Sequence, residues 1–366
     1  LDIATVKGWN CVVGKDSIKV GDLVVYITPD DAVLPHKLME ILFNNTKISA
    51  PSNGRIRTIK IRGAISQGLI ITENQLKDFY PEIKKRFVVG SIMDEYLEIT
   101  KYEPKEKSPY STRGGNQTFK KQINPNFRKY TDINHLKNYP DIFRPDEYIV
   151  ITEKIHGTNF RAGYVPIHHY TGWKKWLKKI RSWIDKKNFK YPGYEFVFGS
   201  HNIQLQEKNK NNRKKRKSMK KYFKKNVYEC IVEQYKLRDI LAPDEVIYGE
   251  IYGANIQKKY QYGLTDSIAL AIFDIIHYKK WIDFENAFWR CIDLELQYVP
   301  ILFKGYRNEI DFDEIVRGPS ILCATQKIRE GIVVQPYREK AGYMGRMIFK
   351  YLNPDYLIKK GNSDWH

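Results

Sequence analysis

An apolar stretch that leads into a lysine, followed three residues later by a glycine, constrains the fold more than any other feature of the sequence. The stretch is Tyr148-Ile149-Val150-Ile151, and it continues into Glu153-Lys154-Ile155-His156-Gly157-Thr158-Asn159-Phe160. Its continuous apolar character predicts a buried strand. A lysine at the end of such a strand suits a nucleophile that faces a nucleotide phosphate. The motif is short, so the alternative from this stretch alone is a surface lysine at a tight turn.

Three further motifs follow in order along the chain. They are Tyr248-Gly249-Glu250-Ile251-Tyr252-Gly253, Arg329-Glu330-Gly331-Ile332-Val333-Val334 and Met347-Ile348-Phe349-Lys350. The set resembles the covalent nucleotidyltransferase superfamily of ATP-dependent ligases and capping enzymes, in which a lysine takes up a nucleoside monophosphate. The resemblance extends over about residues 148 to 357.

Within that superfamily, the first motif is most similar to RNA ligases of the second T4-phage type and to the kinetoplastid editing ligases. His156 stands where many DNA ligases and capping enzymes carry aspartate. The segments Gly253-Ala254-Asn255-Ile256-Gln257 and Tyr262-Gly263 are similar to the third motif of RNA ligases. The resemblance therefore implies an ATP-dependent RNA ligase.

The first hundred residues resemble the N-terminal OB domain of Deinococcus/Naegleria-type RNA ligases. The similar segments are Leu1 to Val6 and Arg57 to Gly68. Short β-rich runs alternate here with turn residues, as a small barrel requires. We expect an α+β protein with an OB-type barrel over 1–102, lacking its first strand, and a linker over 103–145. An adenylyltransferase domain of antiparallel sheets with flanking helices then covers 146–358, with a basic insert at about 165–225 and a tail over 359–366.

Composition narrows the class of partner. The formal net charge is +20, and 19 of the 62 lysines and arginines lie between residues 171 and 225 with only three acids. This local charge indicates a polyanion such as RNA. Four scattered cysteines make neither a disulfide framework nor a zinc site, and no apolar run is long enough to span a membrane. We expect an intracellular monomer, cytoplasmic or nuclear, without a membrane partner.

The basic insert has two parts. Trp173, Trp176, Leu177, Ile180 and Ile184 recur at helical spacing among lysines, which predicts an amphipathic basic helix. This helix lies along RNA phosphates, on an anionic membrane, or against the catalytic domain. The run from Lys208 to Lys225 contains 11 basic residues and is a nucleic-acid arm, a nuclear-localisation-like signal or a soluble insert.

The family motifs imply a role for each matching residue. Lys154 attacks the α-phosphorus of ATP, with Lys350 supplying nearby positive charge. Glu250 accepts a hydrogen bond from the ribose, and Phe273 stacks on adenine. Glu330 helps to bind Mg²⁺ or Mn²⁺, since hard cations prefer oxygen ligands. The expected catalytic residues are Lys154, Glu330 and Lys350, and the expected nucleotide site comprises Glu153, Lys154, Asn159, Glu250, Phe273, Glu330 and Lys350.

The expected RNA contacts are Thr158, Asn159, His201, Lys174, Lys178, Arg213 and Lys214. Two positions depart from the family pattern. His201 follows Ser200 where second-type ligases generally present Ser-Arg, and Leu352 occupies a place that often carries a second lysine. Arg346 or Lys359 are the cations available to compensate. His156 has no negative charge to order the waters of a metal ion, so its alternative role is structural.

We therefore predict an ATP-dependent RNA ligase that joins 3′-hydroxyl and 5′-phosphate ends through lysyl-AMP and adenylylated RNA, in RNA repair. The alternative enzyme is a DNA ligase or a capping guanylyltransferase. His156 and the N-terminal position of the barrel argue against both. A third alternative is a nucleic-acid-binding protein with a decayed ligase domain, but Lys154, Glu250, Glu330 and Lys350 are all present.

Overall fold

The computed structural model describes residues 1–29, 32–44, 50–51, 53–86, 88–102, 124–168, 190–205, 226–257 and 259–358. The chain divides into two compact units. Among the described residues, the first unit comprises those up to 102 together with 135–142 and 354–358, and the second comprises 124–134 and 143–353. The boundaries expected from the sequence instead assign 135–142 to a linker and 354–358 to the catalytic domain. Those domain boundaries stay a prediction.

The first unit consists mainly of short antiparallel strands. Its strands are β1 (Asp2–Val6), β2 (Trp9–Val13), β3 (Val24–Ile27), β4 (Ala32–Val33), β5 (Ile59–Ile61), β6 (Ala64–Ser66), β7 (Leu69–Thr72) and β8 (Thr100–Lys101). The antiparallel pairs are β1 with β2, β3 with β7, β4 with β8 and β5 with β6. Helices α1 (His36–Phe43), α2 (Glu73–Leu76) and α3 (Ile83–Arg86) lie in the same part of the sequence.

The core of the first unit forms because helix and strand each bury one apolar face. Leu38 and Leu42 are four residues apart in α1 and therefore lie on one side of the helix. They pack in a cluster with Ile71 of β7 and Leu76 of α2. The chain leaves β7 through a capping box, in which Gln75 accepts a hydrogen bond from the Thr72 amide (2.9 Å).

The second unit contains two larger sheets. The remaining strands of the chain are β9 (Asn134–His135), β10 (Tyr148–Lys154), β11 (Thr158–Pro166), β12 (Tyr194–Gly199), β13 (Gln204–Leu205), β14 (Glu245–Gly253), β15 (Ile268–His277), β16 (Lys280–Trp281), β17 (Gln297–Tyr298), β18 (Ile301–Tyr306), β19 (Gly331–Pro336), β20 (Ala341–Gly342), β21 (Gly345–Arg346) and β22 (Phe349–Leu352). The remaining helices among the described residues are α4 (Val227–Gln234), α5 (Leu237–Ile240), α6 (Phe284–Asp293), α7 (Phe312–Ile315) and α8 (Pro354–Ile358). The short 3₁₀ helices are Leu136–Asn138 and Arg307–Glu309.

The order of the strands brings the sequence motifs together. One sheet contains the order β18-β10-β19-β22, so the strands of the motifs that contain Lys154, Glu330 and Lys350 are neighbours. The other has the order β13-β12-β11-β14-β15-β16, with β17 parallel to β15. Since β11 follows β10 after a three-residue turn, the two sheets meet near Lys154. The predicted α+β class with antiparallel sheets is confirmed.

Candidate active site

Lys154 and Glu330 meet in the interior of the second unit. Lys154 ends β10 and lies opposite Gly331, the first residue of β19. Glu330 is the residue just before that strand, and its Oε1 accepts a hydrogen bond from Lys154 Nζ. The Glu330 side chain is 0 % exposed and that of Lys154 is 10 % exposed. The motifs that contain Lys154 and Glu330 are therefore joined by one buried ion pair.

The turn after Lys154 passes so close to β14 that position 157 has no room for a side chain. A Cβ atom on Gly157 would lie 2.2 Å from the carbonyl oxygen of Ile251 and 2.9 Å from Cγ of Glu250. The Gly157 amide instead donates a hydrogen bond to the Glu250 carboxylate. The glycine of the first motif is thus explained by close approach of two backbones.

Glu250 shares the electrostatic environment of this ion pair. It lies in β14 directly opposite Asn159 of β11, so both side chains are on one face of the sheet. Burial raises the pKa of Glu250 from 4.5 to about 8, with a further increase from Glu330, whereas Lys154 acts in the opposite direction. A carboxyl group with this pKa is largely protonated at neutral pH and can donate a hydrogen bond as well as accept one.

The loop after β14 fixes the geometry of the first-motif turn. Gln257 Nε2 donates a hydrogen bond to the Gly157 carbonyl oxygen (2.9 Å). The His156 amide donates to the Tyr262 hydroxyl (2.7 Å), and Tyr262 has a left-handed φ of 49°. The resemblance of this loop to the third motif of RNA ligases gave no indication of these contacts. They connect the third motif to the first.

His156 faces the same carboxylate as Lys154. Its Nδ1 lies 3.5 Å from Glu330 Oε2, on the other oxygen from the one that contacts Lys154. The edge of the ring packs against Tyr260 at a centroid distance of 5.1 Å and an angle of 83°. The imidazole is therefore part of the charged site as well as of the packing around it.

Glu153 and Lys154 point to opposite faces of their sheet, as neighbours in a strand do. Glu153 Oε2 accepts a hydrogen bond from the Ile321 amide (2.8 Å), and the Ser320 side chain contacts the same carboxylate. Burial raises the pKa of Glu153. Its backbone amide donates to Pro300 O (2.8 Å). The proposed nucleotide contact of Glu153 stays a prediction, and its carboxylate supports the loop before β19.

Phe273 occupies an irregularity in β15. Tyr248 is opposite Asp274 and Gly249 is opposite Ile272, which leaves Phe273 as the extra residue of a β-bulge. A bulge turns a side chain away from strict alternation. Phe273 is half-buried and makes an edge contact with Tyr130 at 4.8 Å. Part of the ring therefore remains accessible.

Lys350 lies on the same face of its sheet as Lys154. In the register, Lys154 is opposite Gly331 and Lys350 is opposite Val333. Since Gly331 and Val333 are two residues apart, all four positions share one face. Val333 and Phe273 pack against the same cluster of buried residues. The two lysines thus project on a common side of their sheet.

Arg346 takes no part in this arrangement. It donates to both oxygens of Glu339 (2.8 and 2.7 Å), its Nη1 lies 2.8 Å from Asp274 Oδ2, and its guanidinium stacks 3.9 Å from the ring of Trp281. These carboxylates hold the pKa of Arg346 above its ordinary value although burial opposes them. Arg346 is thus bound in a structural cluster by Glu339, Asp274 and Trp281. Lys359, the other candidate, lies outside the described residues.

The expected RNA contacts are distributed over several places. Asn159 shares the face of Glu250, and its Oδ1 is buried without a hydrogen-bond partner in the described part of the chain. Thr158 lies on the opposite face, 3.1 Å from the Tyr228 hydroxyl. His201 Nε2 lies 3.4 Å from Asp132 Oδ1 at the end of β12. Lys174, Lys178, Arg213 and Lys214, with the predicted basic helix and arm, lie outside the described residues.

Buried residues that the sequence did not single out support these groups. Arg161 donates to the carbonyl oxygens of Ser200 (2.9 Å) and Phe127 (2.8 Å), which fixes the loop carrying His201. Tyr130 donates to Asp274 (3.0 Å) behind Phe273. Phe127 and Tyr130 lie in the segment expected to be a linker. Their aromatic character was the available signal, because linkers rarely bury aromatic residues.

The charged cluster fits a divalent cation that is completed by substrate. Glu330 Oε2 is buried and has no hydrogen-bond partner among the described residues. Within the same residues, no group of three or more His, Cys, Asp or Glu side chains is arranged to bind a metal ion. Mg²⁺ is commonly bound by one or two carboxylates together with substrate phosphates. Glu330 is the residue best placed for that role.

The fold and the buried lysine define a nucleotidyltransferase-type enzyme, and comparison with known proteins identifies its family. The family model described as RNA ligase matches residues 147–352, and an OB-fold domain model matches residues 1–72. The chain belongs to the RNA ligase family. The predicted RNA ligase and the predicted OB fold are thereby confirmed. No curated protein matches the sequence.

Solved structures of a Naegleria gruberi RNA ligase have the same fold. A mutant with ATP and Mn matches with a TM-score of 0.65 and 21 % identity over 97 % of this chain and 92 % of that chain. A mutant with AMP and Mn gives 0.66 and 21 % over 97 % and 92 %. The same ligase with PPi gives 0.65 and 21 % over 97 % and 91 %.

Family membership implies RNA as the substrate class. In the described part of the chain, no helix is long and apolar enough to cross a membrane.

Proposed function

We propose that this RNA ligase uses ATP to join an RNA 3′-hydroxyl to a 5′-phosphate. Lys154 attacks the α-phosphorus of ATP, forms a lysyl-AMP phosphoramidate and releases pyrophosphate. AMP then passes to the RNA 5′-phosphate, and the 3′-hydroxyl displaces it. The observation that carries this proposal is the buried contact of Lys154 with Glu330, next to Glu250 and His156.

ATP as the nucleotide is supported by the solved Naegleria gruberi structures with ATP, AMP and Mn. In this chain, the half-buried ring of Phe273 offers an apolar face for adenine. The position of Glu250 beside Asn159 and near Lys154 supports its proposed hydrogen bond to the ribose hydroxyls. Lys350 shares the sheet face of Lys154, and its positive charge stabilises the negative charge that develops on phosphate.

Lys154 must lose a proton before it attacks. A neighbouring carboxylate favours the ammonium form, whereas a nucleophile needs the neutral amine. Glu330 Oε1 already accepts the hydrogen bond from Lys154 Nζ, so it is the atom placed to receive that proton. His156 faces the second oxygen of Glu330 and is positioned to stabilise its negative charge.

Glu330 would also bind Mg²⁺ or Mn²⁺, together with the phosphates of the substrate. Such a cation, when bound, neutralises phosphate charge in the way that a Lewis acid does. The site residues position and desolvate the reacting groups. In this scheme, Glu330 binds the cation and Lys154 is the nucleophile.

We further propose that the substrate ends lie near Thr158, Asn159 and His201, and that the OB unit helps to bind the RNA. Lys174, Lys178, Arg213 and Lys214 would add phosphate contacts. The enzyme would act as a monomer in RNA repair, in the cytoplasm or nucleus and without a membrane partner.

Incubation with α-labelled ATP and Mg²⁺, followed by a denaturing gel, tests the proposal. We expect protein-bound label in the wild type, none in Lys154→Ala, and transfer of the label to a nicked RNA when RNA is added. Labelling by GTP instead of ATP would indicate a capping enzyme. Absence of label with either nucleotide, in folded protein with Mg²⁺ or Mn²⁺, would indicate a decayed binding protein.

A further inference from the structure

A two-residue turn between β15 and β16 has a backbone conformation that its sequence does not favour. His277 pairs with Lys280, so Tyr278 and Lys279 are the two turn residues. Their φ angles are 49° and 64°, both in the left-handed region. Turns of this kind prefer Asn-Gly or Asp-Gly, because most side chains are strained there. A bulky aromatic residue followed by lysine is therefore an unusual choice.

Two other hairpins of the chain give an internal comparison. Lys7-Gly8 connects β1 to β2, and Arg62-Gly63 connects β5 to β6, with positive φ at all four residues. Both turns have glycine at the second position, as the conformation requires. The turn of Tyr278 and Lys279 is the exception among these three. The chain has a lysine at position 279 although this backbone conformation favours glycine.

The neighbouring structure stabilises this turn and adds another cation. The Tyr278 amide donates to Asp244 O (3.2 Å), and the His277 and Tyr278 rings stack at 4.3 Å. Arg128 Nη1 donates to the Lys279 carbonyl oxygen (3.4 Å). The Arg128 carbonyl oxygen in turn accepts from the buried Tyr248 hydroxyl (2.8 Å). Arg128 is therefore fixed beside the turn.

The surface formed by Arg128, Tyr278, Lys279 and Lys280, here called the basic turn, is exposed and positively charged. Tyr278 is 68 % exposed, and the three cations are exposed as well. None of the three makes a salt bridge with another residue that the structure describes. The nearby acid Asp244 accepts a hydrogen bond from the Tyr194 hydroxyl. Unpaired cations around an aromatic ring are typical of surfaces that bind nucleic acid.

We propose that the basic turn is a second RNA-contact surface of this ligase, in which Tyr278 stacks on a base or sugar and the cations contact phosphates. This inference rests on the proposed function. Glu245 of β14 is opposite His277, and Glu250 is five residues further along the strand. The basic turn is therefore about 17 Å from the nucleotide site. At about 3.4 Å per step of a B-form duplex, that spacing corresponds to roughly five base pairs.

The sharpest test is the double variant Tyr278→Asn/Lys279→Gly. It installs the Asn-Gly pair that this turn type prefers, while it removes the ring and one cation. The melting temperature should therefore stay the same or rise, so that lost binding is not caused by unfolding. Lys236→Gly is the matched control, because Lys236 is also an exposed lysine with a left-handed φ of 48° but lies outside the basic turn.

RNA binding is measured by fluorescence anisotropy on nicked duplexes at several salt concentrations. For arms of about 12 base pairs, we expect the double variant to bind roughly tenfold more weakly, with a salt slope smaller by about one. Arms of about four base pairs should bind it as they bind the wild type. Labelling of Lys154 by ATP should not change.

Unchanged affinity and salt slope in the double variant would overturn the proposal. Equal losses on short and long arms, or an equal loss in Lys236→Gly, would do so too, because the effect would then be general. These affinity measurements require RNA binding and do not require the ligation reaction. A wild type that binds RNA but takes no label from ATP would contradict the proposed catalytic function and leave the comparison of affinities valid.

Discussion

Gly157 is the position where a single missing side chain determines whether the site can form. The backbone turn places Gly157 against the Ile251 carbonyl, and its amide donates to Glu250. Any Cβ atom would push apart the first and third motifs. The glycine was predicted from the resemblance, but the reason for it required the pairing of β11 with β14.

Gly157→Ala should therefore abolish labelling by ATP and lower the free energy of unfolding by about 1–3 kcal/mol, as overpacking generally does. Chemical denaturation and the labelling gel measure the two effects. Gly14→Ala is the control, because a Cβ atom there would meet only Ser17 at an ordinary 3.4 Å. Normal labelling in Gly157→Ala would contradict this explanation.

Glu250 should make stability depend on pH. Its pKa is about 8 in the folded protein and 4.5 ordinarily, so the folded state binds the proton more tightly. This group's contribution to the free energy of unfolding must therefore fall as pH rises from about 4.5 to about 8. Glu250→Gln should lose less stability than the wild type between about pH 5 and about pH 9.

Melting temperatures at the two pH values measure this difference. Glu95→Gln, which removes an exposed carboxylate, should behave like the wild type. An identical pH response in Glu250→Gln would show that the Glu250 carboxyl is not protonated in the folded protein.

At the scale of elements, the bulge in β15 gives two adjacent residues, Phe273 and Asp274, different roles. Phe273 and Asp274 are adjacent, yet Phe273 contacts the ring of Tyr130 and Asp274 accepts a hydrogen bond from the Tyr130 hydroxyl. Strict alternation would place them on opposite faces. The motif match indicated Phe273 as an adenine contact, but a bulge depends on the register with β14 and is not visible in local sequence.

Phe273→Leu tests the stacking role. It keeps an apolar side chain but removes the flat ring, so we expect the KM for ATP in self-adenylation to rise about 2- to 10-fold. Trp281→Leu removes another ring that contacts Tyr130, at 5.3 Å. That variant should lower the melting temperature and leave the KM for ATP unchanged. The reverse pattern would exclude adenine stacking by Phe273.

The cluster around Arg346 is structural, so its loss should reduce stability. Arg346→Leu leaves the carboxylates of Asp274 and Glu339 without their shared cation, which typically reduces the free energy of unfolding by about 3–5 kcal/mol. Urea denaturation measures this loss. At a temperature where the variant is still folded, self-adenylation should persist. Complete loss of labelling by folded Arg346→Leu would instead assign it a catalytic role.

The predictable part of the site is the part encoded in contiguous motifs. Lys154, Glu250, Glu330 and Lys350 each lie in a short strand-like segment, so the family resemblance indicates them directly. The contacts of Tyr262 and Gln257 with the first-motif turn bridge about a hundred residues. The partners of Arg346, which are Asp274, Glu339 and Trp281, could not be predicted for the same reason.

At the scale of the whole molecule, the first unit is assembled from separated pieces of chain. Trp9 of β2 donates through Nε1 to Asn138 (3.0 Å) and packs 4.4 Å from the His135 ring. Lys137 Nζ donates to Gly8 O (3.1 Å). Part of the packing around Trp9 therefore comes from residues 135–138, outside residues 1–102.

A fragment of residues 1–142 should be more stable than one of residues 1–102. Trp9 is the only tryptophan in both, so its fluorescence reports on its burial without interference. We expect blue-shifted emission and a higher urea midpoint for the longer fragment, because only that fragment contains His135 and Asn138. Equal emission and equal midpoints would mean that residues 135–142 do not stabilise the barrel.

The first unit is built from distant segments of the chain, and this affects when it can be completed during synthesis. Its strands are made before the catalytic sheets, but α8 (Pro354–Ile358), which belongs to the same unit, is made about 250 residues later. At about 5–20 residues per second, the ribosome needs more than ten seconds to reach it. The first unit therefore lacks α8 while the catalytic sheets are made. Translation speed across the intervening region would then influence how much of the chain folds correctly.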